Sequence, residues 1–344
     1  MNSIERFYAT IERRPVDRPA AWLGIPHSKS LPGLFAHYGV QNLHDLKVAA
    51  GDDFYAVELP YHSEYSNAIY AAFDWYLDGK VDAENRTLTA PGCFNEAEEL
   101  SDLDFFNWPD PVKYIDPAEC ERVVSDVPEG KVGFGVLWSA HFQDACAAFG
   151  METALMNMAT NPDIFEAVND KIIDFYLTAN EIFYRTAKGK IHAVLIGNDV
   201  GSQRCLMISP DLVRRFVIPG CRKLVGQAKR YGLKVIYHSC GSIAEAIPDF
   251  IEAGVDAIHP IQALAAGMDA ESLQKRFGGR VSFCGGVDTQ SLLVNGTPED
   301  VAVDVRKLRR LFPTGLIISP SHEAIQPDVP PANIQALFDE ATRV

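Results

Sequence analysis

Eight short apolar runs alternate with stretches of helical periodicity along this 344-residue chain, and few architectures accept that rhythm. The runs are AAWLGI (20–25), DFYAVEL (53–59), VGFGVLW (132–138), HAVLIGND (192–199), KVIYHSCG (234–241), DAIHPIQ (256–262), VSFCGGVD (281–288) and GLIISPSH (315–322). Between them, residues 162–188, 210–232 and 297–312 carry apolar side chains at helical spacing. Asn161, Ser209 and Thr297 each precede a proline, the signature of an N-cap followed by proline in the first turn. Strand followed by helix, repeated, builds a parallel sheet. Eight such units predict a closed (β/α)8 TIM barrel, with a doubly wound open sheet as the alternative. No repeat or linker divides the chain, so residues 1–344 read as a single domain. The stretch from Tyr61 to Gly130 is longer than the later connections, and WYLDGKVDAENRTL (75–88) within it sets an Asp-Gly turn between strand-like arms. An insertion or lid region at about 61–130, between the second and third runs, is expected.

Charge and cysteine usage narrow the function classes. A net charge of −15 with no basic patch argues against a nucleic-acid partner, which needs positive charge to neutralise phosphates. The opening MNSIERFYATIERRPVDRP has no apolar core of about 7 to 15 residues, and no later run approaches the roughly 20 needed to span a bilayer, so neither signal, anchor nor membrane partner is expected. Seven cysteines at positions 93, 120, 146, 205, 221, 240 and 284 show no framework spacing, which fits free thiols in a reducing cytoplasm.

In a barrel, chemistry gathers at the C-terminal ends of the strands. His27, Glu58, His141, Asp199, His238, Cys240, Gln262, Asp288 and His322 stand at or just past those ends. Side chains alternate along a strand, so in HSCGSI (238–243) His238 and Cys240 share one face. That pair reads either as core packing or as two metal ligands. Asp199 reads as a carboxylate orienting His238 or as a loop cap. Cys284, beside Gly285 and Gly286, reads as a buried small hydrophobe. His259, before a proline in IHPIQ, reads as a histidine satisfying a backbone carbonyl.

The C-terminal third, with HSCGSIAEAIPDFIEAGVDAIHPIQ, FGGRVSFCGGVDTQ, GTPEDV and SPSHEAIQPDVPPANI, resembles the uroporphyrinogen decarboxylase superfamily, particularly its cobamide-dependent methyltransferase branch. NDVGSQ (198–203), GMETALMNM (150–158) and IERFYATIERRPVDRPAAW extend the resemblance over nearly the whole chain. The decarboxylase would imply an arginine-rich segment after the first strand; here residues 25–39 hold Lys29 and no arginine, so bidentate recognition of a polycarboxylate is missing. The methyltransferase branch implies zinc on a His-x-Cys strand, matched by His238 and Cys240, with a third ligand near the C-terminus. No cysteine follows Cys284, which leaves His322 or Cys284 for that place. The resemblance further implies a corrinoid carried by a small partner protein and a small thiol, methoxy or methylamine substrate. Asp199, His322 and Asp288 are the candidate catalytic groups, and Gln290 and Gln262 the candidate cofactor-binding groups. Two alternatives stand beside this reading: a metal-independent decarboxylase or lyase using Asp199 and His322 for proton transfer, and a non-catalytic corrinoid- or tetrapyrrole-binding protein. A homodimer is allowed by the sequence without being indicated by it.

Overall fold

A computed structural model describes residues 1–64, 66–73, 90–187 and 189–344. The hairpin expected over 75–88 lies outside the described residues. Among the described residues seven strands are present: β1 Phe54–Glu58, β2 Val132–Trp138, β3 Ala193–Gly197, β4 Lys234–His238, β5 Ala257–Ile261, β6 Ser282–Val287 and β7 Leu316–Pro320. They form one all-parallel sheet in chain order, with helices in the connections. Each falls on one of the apolar runs, because strands covered on both faces read as continuous hydrophobic segments.

The first run is the exception, and it corrects the expectation of eight strands. Residues 20–25 form an isolated parallel bridge, Ala21 with Ile318, instead of a strand. Pro19 and Pro26 flank the run and cannot donate to a ladder. Gly24 takes a φ of +82° and lies so close to the Glu323 carbonyl oxygen that a Cβ would stand 2.3 Å from it. The run is nevertheless tied to β7, with Trp22 N–H donating to Ile318 O at 3.0 Å and Ile318 N–H to Ala20 O at 2.9 Å. On its other side, Asp53 N–H donates to Ala21 O at 3.0 Å.

The long connection between β1 and β2 holds, among its described residues, short 3-10 turns at Ile69–Ala71 and Leu100–Leu103 and helices at Pro111–Tyr114 and Pro117–Ser125. The helix Pro162–Thr186 forms as its periodicity predicts, but Asn161 does not cap it, its amide donating to Glu98 O at 2.8 Å instead. Ser209 and Thr297 do cap their helices. The expected helix over 210–232 divides into Pro210–Phe216 and Ile218–Arg230, because Pro219 lacks the N–H that an unbroken helix would need. Among the described residues no helix is long and apolar enough to cross a membrane.

One packed cluster draws Trp22, Phe54, Phe134, Leu195, Ile236, Ala257, Cys284 and Ile317 together, so the run 20–25 and all seven strands contribute to it. A flat sheet could not bring Phe54 of β1 and Ile317 of β7 into one cluster, so the sheet is curled around these side chains. The alternate residues, such as Val194, Ile196, Val235 and Phe283, pack outward against helix residues Phe183, Phe250 and Leu308.

His141, placed by the sequence just past the end of a strand, is fully buried at the start of the helix His141–Phe149. Its Nδ1 meets Asn169 Oδ1 at 2.8 Å, and burial depresses its pKa to about 4. In the unfolded chain a histidine titrates near 6.5, so between those values the unfolded state binds more protons and stability rises with pH. The stabilising contribution, on the order of 3 kcal/mol, is therefore complete above about pH 6.5 and disappears as pH falls towards 4. Urea unfolding from pH 7 to 4 should show His141→Gln losing less stability than the wild type over that window; equal losses would refute the assignment.

Candidate functional site

The C-terminal end of β4 is the centre of the candidate site. Gly197 of β3 lets the two strands approach: a Cβ there would lie 2.0 Å from His238 O. His238, 5% exposed, directs Nε2 towards Asp199 Oδ1 at 3.3 Å and Cys240 Sγ at 3.5 Å. Cys240 N–H donates to Asp199 Oδ1 at 2.7 Å, and Gln143 Oε1 accepts from Asp199 N–H at 2.9 Å, so the loop after β3 is held against the end of β4. Asp199 Oδ1, His238 Nε2 and Cys240 Sγ make one group of mutually close metal-ligand atoms, and His238, His259 and Glu323 make another.

The second group shares the His238 ring through its other nitrogen. His238 Nδ1 lies 2.9 Å from His259 Nδ1 and 3.7 Å from Glu323 Oε2. His259 thus contacts an imidazole instead of the backbone carbonyl its sequence context suggested. Glu323 Oε2 is also 3.5 Å from His322 Nδ1, which accepts from Ala324 N–H at 3.0 Å. The His322 ring interacts with the Cys240 thiol from the loop after β7.

Charge is shared tightly across these groups. Burial works against ionisation of the Cys240 thiol, but His238 and His322 beside it outweigh burial and hold its pKa below the usual thiol value. Burial likewise opposes ionisation of Asp199, and the His238 imidazole and the Cys240 N–H overcome it to lower its pKa. His238 is raised well above the ordinary histidine value despite burial, chiefly by Asp199, then Cys240 and Glu323. His322 is raised by its contact with Cys240, whereas burial and its cationic neighbours push His259 well down. Ligand atoms that carry or share protons in this way release them when a metal binds.

Trp138 walls one side, its ring edge-on to His238 with centroids 5.3 Å apart. Trp138 and Ser139 hold positive φ angles of 56° and 53°; for non-glycine residues such angles cost about 1–3 kcal/mol each and concentrate where a site needs them. Asn180 Nδ2 donates to Ser139 Oγ at 3.1 Å within this strained corner.

The structure therefore brings together Asp199, His238, Cys240 and His322. It does not bring Cys284 to them: that thiol sits mid-strand opposite Ile317, in the packed interior, and burial raises its pKa well above the usual value. Asp288 uses its carboxylate to accept from Gln290, Ser291 and Leu292 N–H at 2.9–3.0 Å, an arrangement that shapes the loop after β6. Gln290 is exposed. Gln262 Oε1 accepts from Gly241 N–H at 2.5 Å and so fastens the loop after Cys240. Glu323 and the role of His259 were not read from the sequence, although alternation from Ser319 through Ser321 to Glu323, and from Ala257 to His259, places each on the face of a strand that turns inward.

The profile of the uroporphyrinogen decarboxylase (URO-D) family matches residues 88–344. The chain belongs to the uroporphyrinogen decarboxylase family. The matched region contains every residue of the two metal-ligand groups, from Asp199 to Glu323. A curated relative, methylated-thiol–coenzyme M methyltransferase of Methanosarcina mazei, is 27% identical over 168 residues. That similarity spans 48% of this chain and 41% of the relative, less than half the length of either. In three dimensions the chain resembles a methyltransferase from Methanosarcina mazei with a TM-score of 0.67 at 16% identity, covering 99% of this chain and 98% of the other. The shared fold is α/β and barrel-like, and both neighbours of this uroporphyrinogen decarboxylase family chain are methyltransferases.

Proposed function

We propose that the chain is a zinc-dependent methyltransferase that moves a methyl group between a corrinoid carried on a partner protein and a small thiol, methoxy or methylamine substrate. The observation that carries this reading is the convergence of His238 Nε2, Cys240 Sγ and Asp199 Oδ1. Their 3.3 and 3.5 Å separations suit ligands about 2.0–2.3 Å from a tetrahedral zinc, whose edges run roughly 3.3–3.8 Å. Three protein ligands leave a fourth position open, as catalytic zinc requires. Zinc bound there supplies a Lewis acid that keeps a substrate thiol as thiolate or polarises a methoxy or methylamino group.

The chain's own residues complete the reading. Asp199 takes the third ligand place that the sequence left between His322 and Cys284. Because Ala324 N–H occupies the Nδ1 lone pair of His322, the neutral ring carries its proton on Nε2, which suits His322 to proton transfer at the mouth more than to ligation. Gln262 and Asp288 support the loops, and Gln290 stands exposed as a contact for substrate or corrinoid. The residue 20–25 run, hydrogen-bonded between β7 and Asp53, serves in this reading as the eighth stave of one barrel domain. The long β1–β2 connection is its insertion.

Metal content by mass spectrometry, on protein purified without a metal-binding tag, tests the proposal. About one zinc per chain in the wild type and little in Cys240→Ser is expected. Absence of zinc from both would overturn the metal site and return the cluster to the metal-independent lyase reading.

A further inference from the structure

The two nitrogens of His238 face different surroundings, and only one of them can serve a metal at Nε2. That nitrogen looks towards Asp199 and Cys240. Nδ1 looks the other way, at His259 Nδ1, 2.9 Å distant. A hydrogen bond between two imidazole nitrogens contains one proton, so one ring donates and the other accepts. A neutral histidine that donates through Nδ1 leaves Nε2 with a bare lone pair; one that accepts through Nδ1 carries its proton on Nε2 and cannot ligate there. We infer that His259 is a positioning residue, the acceptor that keeps a proton on His238 Nδ1 and so presents His238 Nε2 to the metal. This inference rests on the zinc reading above.

The surroundings of His259 support the assignment. It is fully buried, and its second nitrogen, Nε2, has no hydrogen-bond partner among the described residues. Leaving such an atom unpaired in an apolar interior is unfavourable, so an apolar side chain would fill the space at less expense. The polar contact the position does make is the one to His238. Backbone pairing fixes it: His238 and His259 are register partners of β4 and β5, and Ser239 N–H donates to His259 O at 2.8 Å. The Trp22 ring, with its centroid 5.2 Å from that of His259, packs against the imidazole and limits its rotation. Glu323 Oε2 approaches the same His238 nitrogen only to 3.7 Å, outside hydrogen-bond range, and does not replace the contact. Metal-ligating histidines ordinarily give their second N–H to a carboxylate or a backbone carbonyl; here an imidazole occupies that place.

The test compares His259→Phe, which keeps an aromatic ring and removes the acceptor, with His259→Asn, whose amide oxygen stands near the position of the lost Nδ1. Zinc affinity is measured by competition with a chelating dye, and the histidine ring 15N resonances of the zinc-loaded proteins report which His238 nitrogen bears the proton. Affinity should fall about 10- to 100-fold in His259→Phe and recover to within about threefold of wild type in His259→Asn. The wild-type and Asn spectra should place the His238 proton on Nδ1. Equal affinity in the Phe and wild-type proteins would overturn the inference alone. If the Phe variant does not fold, the wild-type spectrum still decides, since a His238 proton on Nε2 in the zinc-loaded protein also overturns it. A wild type that binds no zinc overturns the zinc reading and this inference with it.

Discussion

Asp53→Ala should cost the folded protein about 3–5 kcal/mol, a large part of the roughly 5–15 kcal/mol that holds a typical domain together. The Asp53 side chain is 1% exposed and sits between two guanidinium groups. Its Oδ1 accepts from Arg6 Nη1 at 2.8 Å and Arg18 Nη2 at 3.1 Å, and its Oδ2 from Arg18 Nη1 at 2.8 Å and Ala21 N–H at 2.9 Å. Arg6 keeps Asp17 as a second carboxylate partner, with Nε to Oδ1 at 2.9 Å, whereas the Arg18 guanidinium would keep, among the described residues, only the Pro19 carbonyl oxygen at 3.0 Å. Alanine at position 53 would leave a buried cation without its counter-charge and a buried N–H without an acceptor, which is the costly way to break an ion pair. Urea unfolding of the variant, with Arg185→Ala as a control, measures the effect. Arg185 pairs with Glu181 on an exposed helix surface, and its loss should leave the unfolding midpoint nearly unchanged. Similar costs for the two variants would mean that the Asp53 cluster is no stronger than a surface pair.

Asp199→Asn is expected to weaken zinc binding about a hundredfold. Structural zinc sites gain about 10–16 kcal/mol from three or four ligands, so one ligand is worth roughly 3 kcal/mol. The amide can still accept from Cys240 N–H, so the loop should hold its place while the anionic donor is lost. Two companion variants make the comparison specific. Cys284→Ala should leave affinity unchanged, because that thiol is walled into the interior and burial keeps it protonated. His322→Gln should weaken zinc binding by less than Asp199→Asn, since the Nδ1 of His322 is already occupied by Ala324 N–H. A larger loss in His322→Gln than in Asp199→Asn would give the third ligand place to the histidine.

The strands were legible because burial on both faces leaves a continuous apolar record in the sequence. AAWLGI carries the same record but lacks the backbone to act on it, with Gly24 at positive φ and prolines on either side. Pro219 divided a helix that its hydrophobic periodicity alone would have run through. In the site, His238 and Cys240 could be paired by alternation within one strand. Asp199 joins them because β3 lies beside β4, an adjacency that follows once the sheet is known to run in chain order. Glu323 is different: its loop follows β7, three strands beyond β4 in the order of the sheet, and only curvature brings it to His238. Cys284 shares the inward face, but it stands mid-strand in β6 and so lies too deep, a difference in height that alternation does not encode.

The joint between β7 and the residue 20–25 run bears on how the molecule is made. Trp22 with Ile318, Ile25 with Glu323 and His27 with Ile325 are hydrogen-bonded across roughly 300 residues of intervening chain. During synthesis these N-terminal residues leave the ribosome long before their partners exist, and contacts so distant in sequence form late. The loop bearing His322 and Glu323 is stitched down by those same bonds. The side of the candidate site carried by His322 and Glu323 can therefore be completed only after β7 and the loop that follows it have been made.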